Sequence, residues 1–178
     1  NIDGLKYDGT TYYRKKNKPR PHNAFTNFPN LLSRAKELGY SLGGDLVAYP
    51  HGAKFESGGS VQPPAIYGGK FAVAWIYDAK TNLYARTRSG AKEIDLNNGS
   101  QVRSANVIYM KTTWIPINRD YIHVKTLGSG NVVVYQNGMS ISGTWQKSSA
   151  EKKLMFLDTK GNEIEFMPGM TWIEIITQ

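Results

Sequence analysis

Residues 131–145 read NVVVYQNGMSISGTW, and the Asn137-Gly138 pair at their centre is the strongest hairpin signal in the chain. An Asn-Gly pair supplies the two positive-φ residues that a tight two-residue turn requires. It joins a β-branched run, Val132–Gln136, to Met139–Trp145. The same pattern extends outward in both directions. Phe71–Tyr77 is apolar and strand-prone, and Asp78-Ala79-Lys80-Thr81 turns it into Asn82–Arg88, where Leu83, Ala85 and Thr87 alternate with Tyr84, Arg86 and Arg88. Val102–Lys111 carries the core-like Val107-Ile108-Tyr109-Met110, and Tyr121–Leu127 precedes Gly128-Ser129-Gly130, which reads as a turn. Lys153–Leu157, Glu163–Phe166 and Thr171–Ile176 follow, separated by turns at Asp158–Gly161 and Pro168-Gly169. Closely spaced strands with almost no helix between them predict antiparallel pairing.

Before this series the text differs. Residues 1–22 read as an extended arm in which Pro19 and Pro21 block regular pairing. One helix follows, capped by Thr26 or Asn27, with Pro29 in its first turn and Gly39 as its stop. Leu31, Leu32, Ala35 and Leu38 share one side, which should pack on a sheet, while Arg34 and Lys36 point elsewhere. Gly43–Gly69 is rich in glycine and proline, with Leu46–Tyr49 as a short strand at most, and forms the natural seam. The expectation is an α+β fold: layered, mainly antiparallel twisted sheets of about eight strands, with one main helix packed on a face.

At 178 residues and 40% hydrophobic, the chain is long enough to bury a real core. The absence of cysteine excludes disulfides, thiolate nucleophiles and Cys-ligated metals. The charge of +8 attracts anions, whether nucleic acid, anionic lipid or wall polymer. Five of the seven residues Arg14–Arg20 are basic, which fits either a solvated loop or a phosphate-binding tract. No aromatic interleaves them, so nucleic acid is not the expected partner. Asn1 is not a methionine, and the chain is expected to be a processed product or a piece of a longer one.

Several landmarks coincide with one family. Pro21-His22-Asn23 precedes the helix; Leu83-Tyr84-Ala85-Arg86 and Ala105-Asn106-Val107-Ile108 lie in strands; Gly128-Ser129-Gly130 and Gly143-Thr144-Trp145 follow. Asp158-Thr159-Lys160-Gly161-Asn162-Glu163-Ile164 and Pro168-Gly169-Met170-Thr171-Trp172-Ile173 are the most specific. Together they resemble the YerB-like family of bacterial lipoproteins of uncharacterised function. The resemblance implies that residues 1–69 are the C-terminal part of that family's first domain and 70–178 its β-rich second domain. It also implies an extracytoplasmic protein held to the membrane by a lipidated cysteine, expected upstream of Asn1 together with the family's Gly-Pro-x-Arg-Ser stretch.

The candidate ligand-binding residues are His22, Asn23, Arg86, Arg88, Asp95, Asn106 and His123. His22 offers an imidazole near neutrality, or it and Asn23 simply bond the backbone at the helix entry. Arg86 and Arg88 share a strand face; Arg86 either forks onto an anion or pairs with Glu93 or Asp95. Asn106 seals a bulge or points at a ligand. His123 alternates with Tyr121 and Lys125 on a polar strand face, and His51 belongs to the loop. The three histidines show no metal spacing, so no metal or cofactor is expected. No nucleophile elbow, P-loop or dinucleotide fingerprint survives inspection, although Asp45, Glu56 and Asp95 remain as carboxylates for hydrolysis. Trp114 or Tyr109 offers a face for stacking on a sugar.

These residues favour a non-catalytic binding or scaffolding module of the bacterial envelope, gripping an anionic cell-envelope polymer or a protein partner. The alternative is an envelope hydrolase or transferase using His22, Arg86 and Asn106. A third class, nucleic-acid binding, rests on charge alone.

Overall fold

The computed structural model describes residues 2–20, 22–43, 47–53 and 58–178. The expected carboxylates Asp45 and Glu56, and Leu46 of the short strand, lie outside the described residues. The chain divides into two compact units, Asn1–Val47 and Ala48–Gln178.

The first unit pairs β1 (Tyr13–Arg14) with β2 (Ala24–Phe25) and carries the helix α1 (Phe28–Glu37). Asn27 caps it, its side-chain oxygen accepting the Asn30 N–H at 2.8 Å, and Gly39 ends it at φ +69°. The apolar side of α1 is only half-buried, and Leu38 is exposed. Polar contacts hold the helix in its unit instead. Arg34, expected to point away, lies over the Tyr7 ring and donates to Thr11 Oγ1 at 2.9 Å.

The second unit holds the other strands: β3 (Val73–Asp78), β4 (Leu83–Arg88), β5 (Ala91–Lys92), β6 (Arg103–Ser104), β7 (Asn106–Thr112), β8 (Trp114–Pro116) and β9 (Ile122–Val124). They are followed by β10 (Gly128–Gln136), β11 (Met139–Lys147), β12 (Met155–Asp158) and β13 (Thr171–Thr177). The described residues thus hold 13 strands and correct the expected eight. The additions are pairings of two or three residues, too short to show a period of two. Glu163–Phe166, expected as a strand, makes only isolated bridges to Leu157 and His51.

Five strands form one sheet in the order β12-β11-β10-β7-β13, and β3, β4, β5 and β6 form a second around β4. The pairing is antiparallel except where β13 lies parallel to β7. The inner strand β7 is buried on both faces, which explains its unbroken apolar run. Val107 and Tyr109 face the β3–β4 sheet with Trp75, Tyr77, Tyr84 and Tyr135. Ile108 and Met110 face the opposite way, with Val132, Val134, Trp145 and Phe156. Tyr109 is therefore core: its ring is buried and its hydroxyl donates to the Pro64 carbonyl at 2.8 Å, which removes it as a sugar platform.

Burial also pushes the Tyr84 and Tyr109 hydroxyls well above the ordinary phenol range. A raised folded-state value leaves stability intact below about pH 10, where the unfolded phenols are still neutral, and erodes it from there up to the folded-state value. An alkaline titration should therefore show the phenolate absorbance of these two tyrosines only as near-ultraviolet dichroism is lost. Their ionisation in step with exposed tyrosines, with the fold intact, contradicts this.

Gly128-Ser129-Gly130 is not a turn but the start of β10, paired with Trp145–Lys147. A Cβ on Gly130 would come within 2.6 Å of Trp145 Nε1 and 2.7 Å of the Lys111 carbonyl, so glycine makes room for the buried indole and its hydrogen bond.

Candidate functional site

His22 and Asn23 belong to the first unit, and Arg86, Arg88, Asp95, Asn106 and His123 to the second. His22 is exposed, whereas Asn23 is buried and its side-chain oxygen accepts from Arg14 Nη1 at 3.1 Å. Asp95 closes its own turn by accepting the Asn97 N–H at 2.8 Å. His123 is exposed on β9, opposite Ile115.

Arg86 is only 3% exposed. Its Nε and Nη2 reach Glu174 Oε1 at 3.1 and 3.0 Å, and its Nη1 pairs with Glu93. Trp75 Nε1 donates to the same Glu174 oxygen at 3.1 Å, and the guanidinium lies 4.8 Å from the Trp172 ring centre. Glu93 was legible as a partner because it lies in the next turn. Glu174 was not, because parallel pairing of β13 brings it from 88 residues away. Arg88 also reaches Glu93, at 3.2 Å, with its side chain half exposed.

Asn106 is fully buried. Its amide works as a surrogate backbone: Oδ1 accepts the Met167 N–H at 2.9 Å, and Nδ2 donates to the Met167 carbonyl at 2.9 Å and to Thr171 Oγ1 at 3.1 Å. Arg86 and Asn106 thus serve different partners.

The open surface of the second unit lies elsewhere. The face of the five-stranded sheet that carries Tyr109 and Tyr135 is covered by the β3–β4 sheet at that end only. Towards β11 and β12 it opens into a concavity of about 610 Å³, lined among others by Lys111, Asn131, Ser142, Thr144, Gln146 and Thr159. Register sets them side by side: Thr144 stands opposite Asn131 and Leu157, and Ser142 opposite Val133. The polar part of the lining is hydroxyl, amide and one ammonium, set beside the aliphatic Val133 and Leu157. Asp158, on the far wall, is occupied by its own turn: Oδ1 accepts the N–H groups of Asn162 and Lys160 at 2.9 and 2.8 Å. The Asn162 bond, with the others, holds its carboxyl below the usual range. A comparable concavity of about 620 Å³ in the first unit includes Arg14, but that guanidinium is already clamped by Asp8 at 2.9 Å.

None of the groove residues is among the ligand-binding candidates read from the sequence. The signal was present, because Ser140, Ser142, Thr144 and Gln146 alternate with Ile141, Gly143 and Trp145, a polar face sustained along all of β11. Among the described residues no group of three or more His, Asp or Glu could hold a metal ion, and no helix is long and apolar enough to cross a membrane.

A layered β unit of this architecture falls in one family: residues 64–173 match the C-terminal domain of the proteins of unknown function DUF3048, and the chain belongs to that family. It is similar to "Putative lipoprotein YerB" of Bacillus subtilis (strain 168), with 26% identity over 98% of this chain and 54% of that protein. The crystal structure of the YerB protein from Bacillus subtilis shares the fold, with a TM-score of 0.77 at 23% identity, covering 97% of this chain and 59% of that one. The chain spans about half the length of the relative it matches.

Proposed function

We propose that this chain is a non-catalytic, extracytoplasmic binding module of an envelope lipoprotein, and that its groove holds a hydroxyl-rich, anionic cell-envelope polymer. The observation that carries this reading is the half-open sheet: one end of the face is sealed by β3–β4, and the other presents a ladder of hydroxyls and amides to solvent. Such groups exchange hydrogen bonds with a polar polymer at little desolvation cost. The net charge of +8 favours an anion, and the name of the YerB relative supports an envelope location. The hydrolase or transferase alternative asks Arg86 and Asn106 to face a substrate, yet Arg86 is enclosed by Glu93 and Glu174 and Asn106 holds Met167.

The test is calorimetric titration with soluble muropeptides and a poly(glycerol phosphate) oligomer, repeated on Ser142→Phe. That strand position is solvent-facing, so the aromatic fills the groove without entering the core. Binding by the native chain, weakened at least about tenfold in Ser142→Phe with its melting temperature unchanged, supports the reading. Equal affinity in both proteins, or no binding of any probe, overturns it.

A further inference from the structure

At the root of the β8–β9 ribbon the groove runs into a smaller recess of about 190 Å³, lined among others by Lys111, Thr113, Lys125, Ser129 and Asn131. Lys111 and Asn131 border both spaces. No carboxylate side chain lines the recess, and among the described residues neither lysine has an ion-pair partner. The chain fixes where both lysines stand. Thr112 Oγ1 donates to the Lys125 carbonyl at 2.6 Å, and the Lys125 N–H donates to the Thr113 carbonyl at 2.9 Å, so Lys125 is pinned beside the end of β7 that carries Lys111. Gly128, at φ +112°, turns the chain back beneath the Lys125 stem, which brings Ser129 and Asn131 into the same recess.

Two like charges that line one small recess raise the free energy of the empty protein. An anion that meets both ammonium groups offsets that repulsion with charge-assisted hydrogen bonds, and the hydroxyl and amide beside them complete its contacts. The geometry points to a phosphate subsite: Lys111 and Lys125 hold a phosphodiester group of a polymer whose hydroxylated body lies along the groove. This assignment rests on the groove as the binding surface and adds the chemistry of its ligand. A phospholipid headgroup offers the same phosphate, but it is followed by acyl chains with no hydrogen-bonding group, whereas Asn131, Ser142, Thr144 and Gln146 offer hydroxyls and amides along the groove beyond the recess, beside Val133 and Leu157.

The experiment titrates a poly(glycerol phosphate) hexamer, phosphate-free soluble muropeptides and phosphatidylglycerol vesicles into the native chain, Lys125→Gln, Lys111→Gln and Lys92→Gln. Lys92 is an exposed lysine on β5 that matches the change in charge. The hexamer should bind about tenfold more weakly to Lys125→Gln and to Lys111→Gln, and with native affinity to Lys92→Gln. Muropeptide binding should survive Lys125→Gln, because Lys125 borders the recess alone. Equal loss in all three variants reduces the effect to net charge and overturns the subsite, as does hexamer binding untouched by either recess substitution. Vesicle binding without hexamer binding overturns the polymer as the source of the phosphate. Muropeptides that bind, and are lost in Ser142→Phe, while the hexamer does not bind leave the groove standing and the subsite refuted. Failure of every probe removes both.

Discussion

Arg86→Ala should lower stability by about 3–5 kcal/mol, the usual cost of removing one partner from a buried ion pair. Glu174 would be left buried without its guanidinium partner, and the Trp75 and Trp172 rings would lose the cation packed against both of them. For a chain of this size the loss corresponds to a fall in melting temperature of roughly 6–20 °C. Lysine should not rescue it, because an ammonium on a flexible stem has neither the planar fork that reaches two carboxylates nor the flat face that stacks on indole. Arg88→Ala is the matched control. It removes the half-exposed partner of Glu93 and should cost no more than about 1 kcal/mol. Denaturant unfolding of the three variants decides it: a similar small loss for Arg86→Ala and Arg88→Ala would mean that water reaches the cluster.

Gly138→Ala should cost about 2–5 kcal/mol, by two separable routes. Gly138 sits at φ +66°, where a Cβ crowds its own backbone. Its turn is also not solvent-exposed as most hairpin tips are. Asn137 is buried, its side-chain oxygen accepting from Asn82 Nδ2 at 3.0 Å, and the Gly138 N–H donates to the Tyr84 hydroxyl at 3.1 Å. The Val61 N–H donates to the Gly138 carbonyl at 2.7 Å, laying residues 58–61 across the turn. A Cβ on Gly138 would lie 2.5 Å from Tyr77 Cε1 and would overlap the Gly59 carbonyl. Gly161→Ala separates the two routes. At φ +85° with no atom within 4 Å of its Cβ, it carries the backbone strain alone, about 1–2 kcal/mol. Equal losses in thermal unfolding would show that the strap across the hairpin yields.

The long strands were legible because each carries a period of two or an unbroken apolar run, and the Asn137-Gly138 turn fixed the register of the longest pair. Asn27, Pro29 and Gly39 likewise marked the helix by cap, first turn and stop. What escaped were the contacts set by distance along the chain. Glu174 reaches Arg86, and Asn106 reaches Met167, through a parallel pairing that no local pattern encodes. Gly128-Ser129-Gly130 reads as a turn because closely spaced glycines are common in turns, whereas Gly130 answers the bulk of Trp145 on the next strand. The groove was missed for a different reason. Polar residues on a strand's open face look the same whether they meet only water or a ligand, and the covering of half that face becomes visible only once the β3–β4 sheet is in place.

The parallel partnership of β7 and β13 also has a consequence in time. Asn106 waits for Thr171, 65 residues later, and Trp75 waits for Glu174, 99 residues later, before either is satisfied. Such non-local pairings form late, because the intervening chain must first be closed into a loop. A chain emerging from its N-terminal end therefore has its hairpins in hand but neither its charge cluster nor the pairing of β7 completed. Until Thr171–Thr177 arrives, β7 lacks one of its two neighbours and Arg86 lacks Glu174, and arrival of that strand completes the second unit.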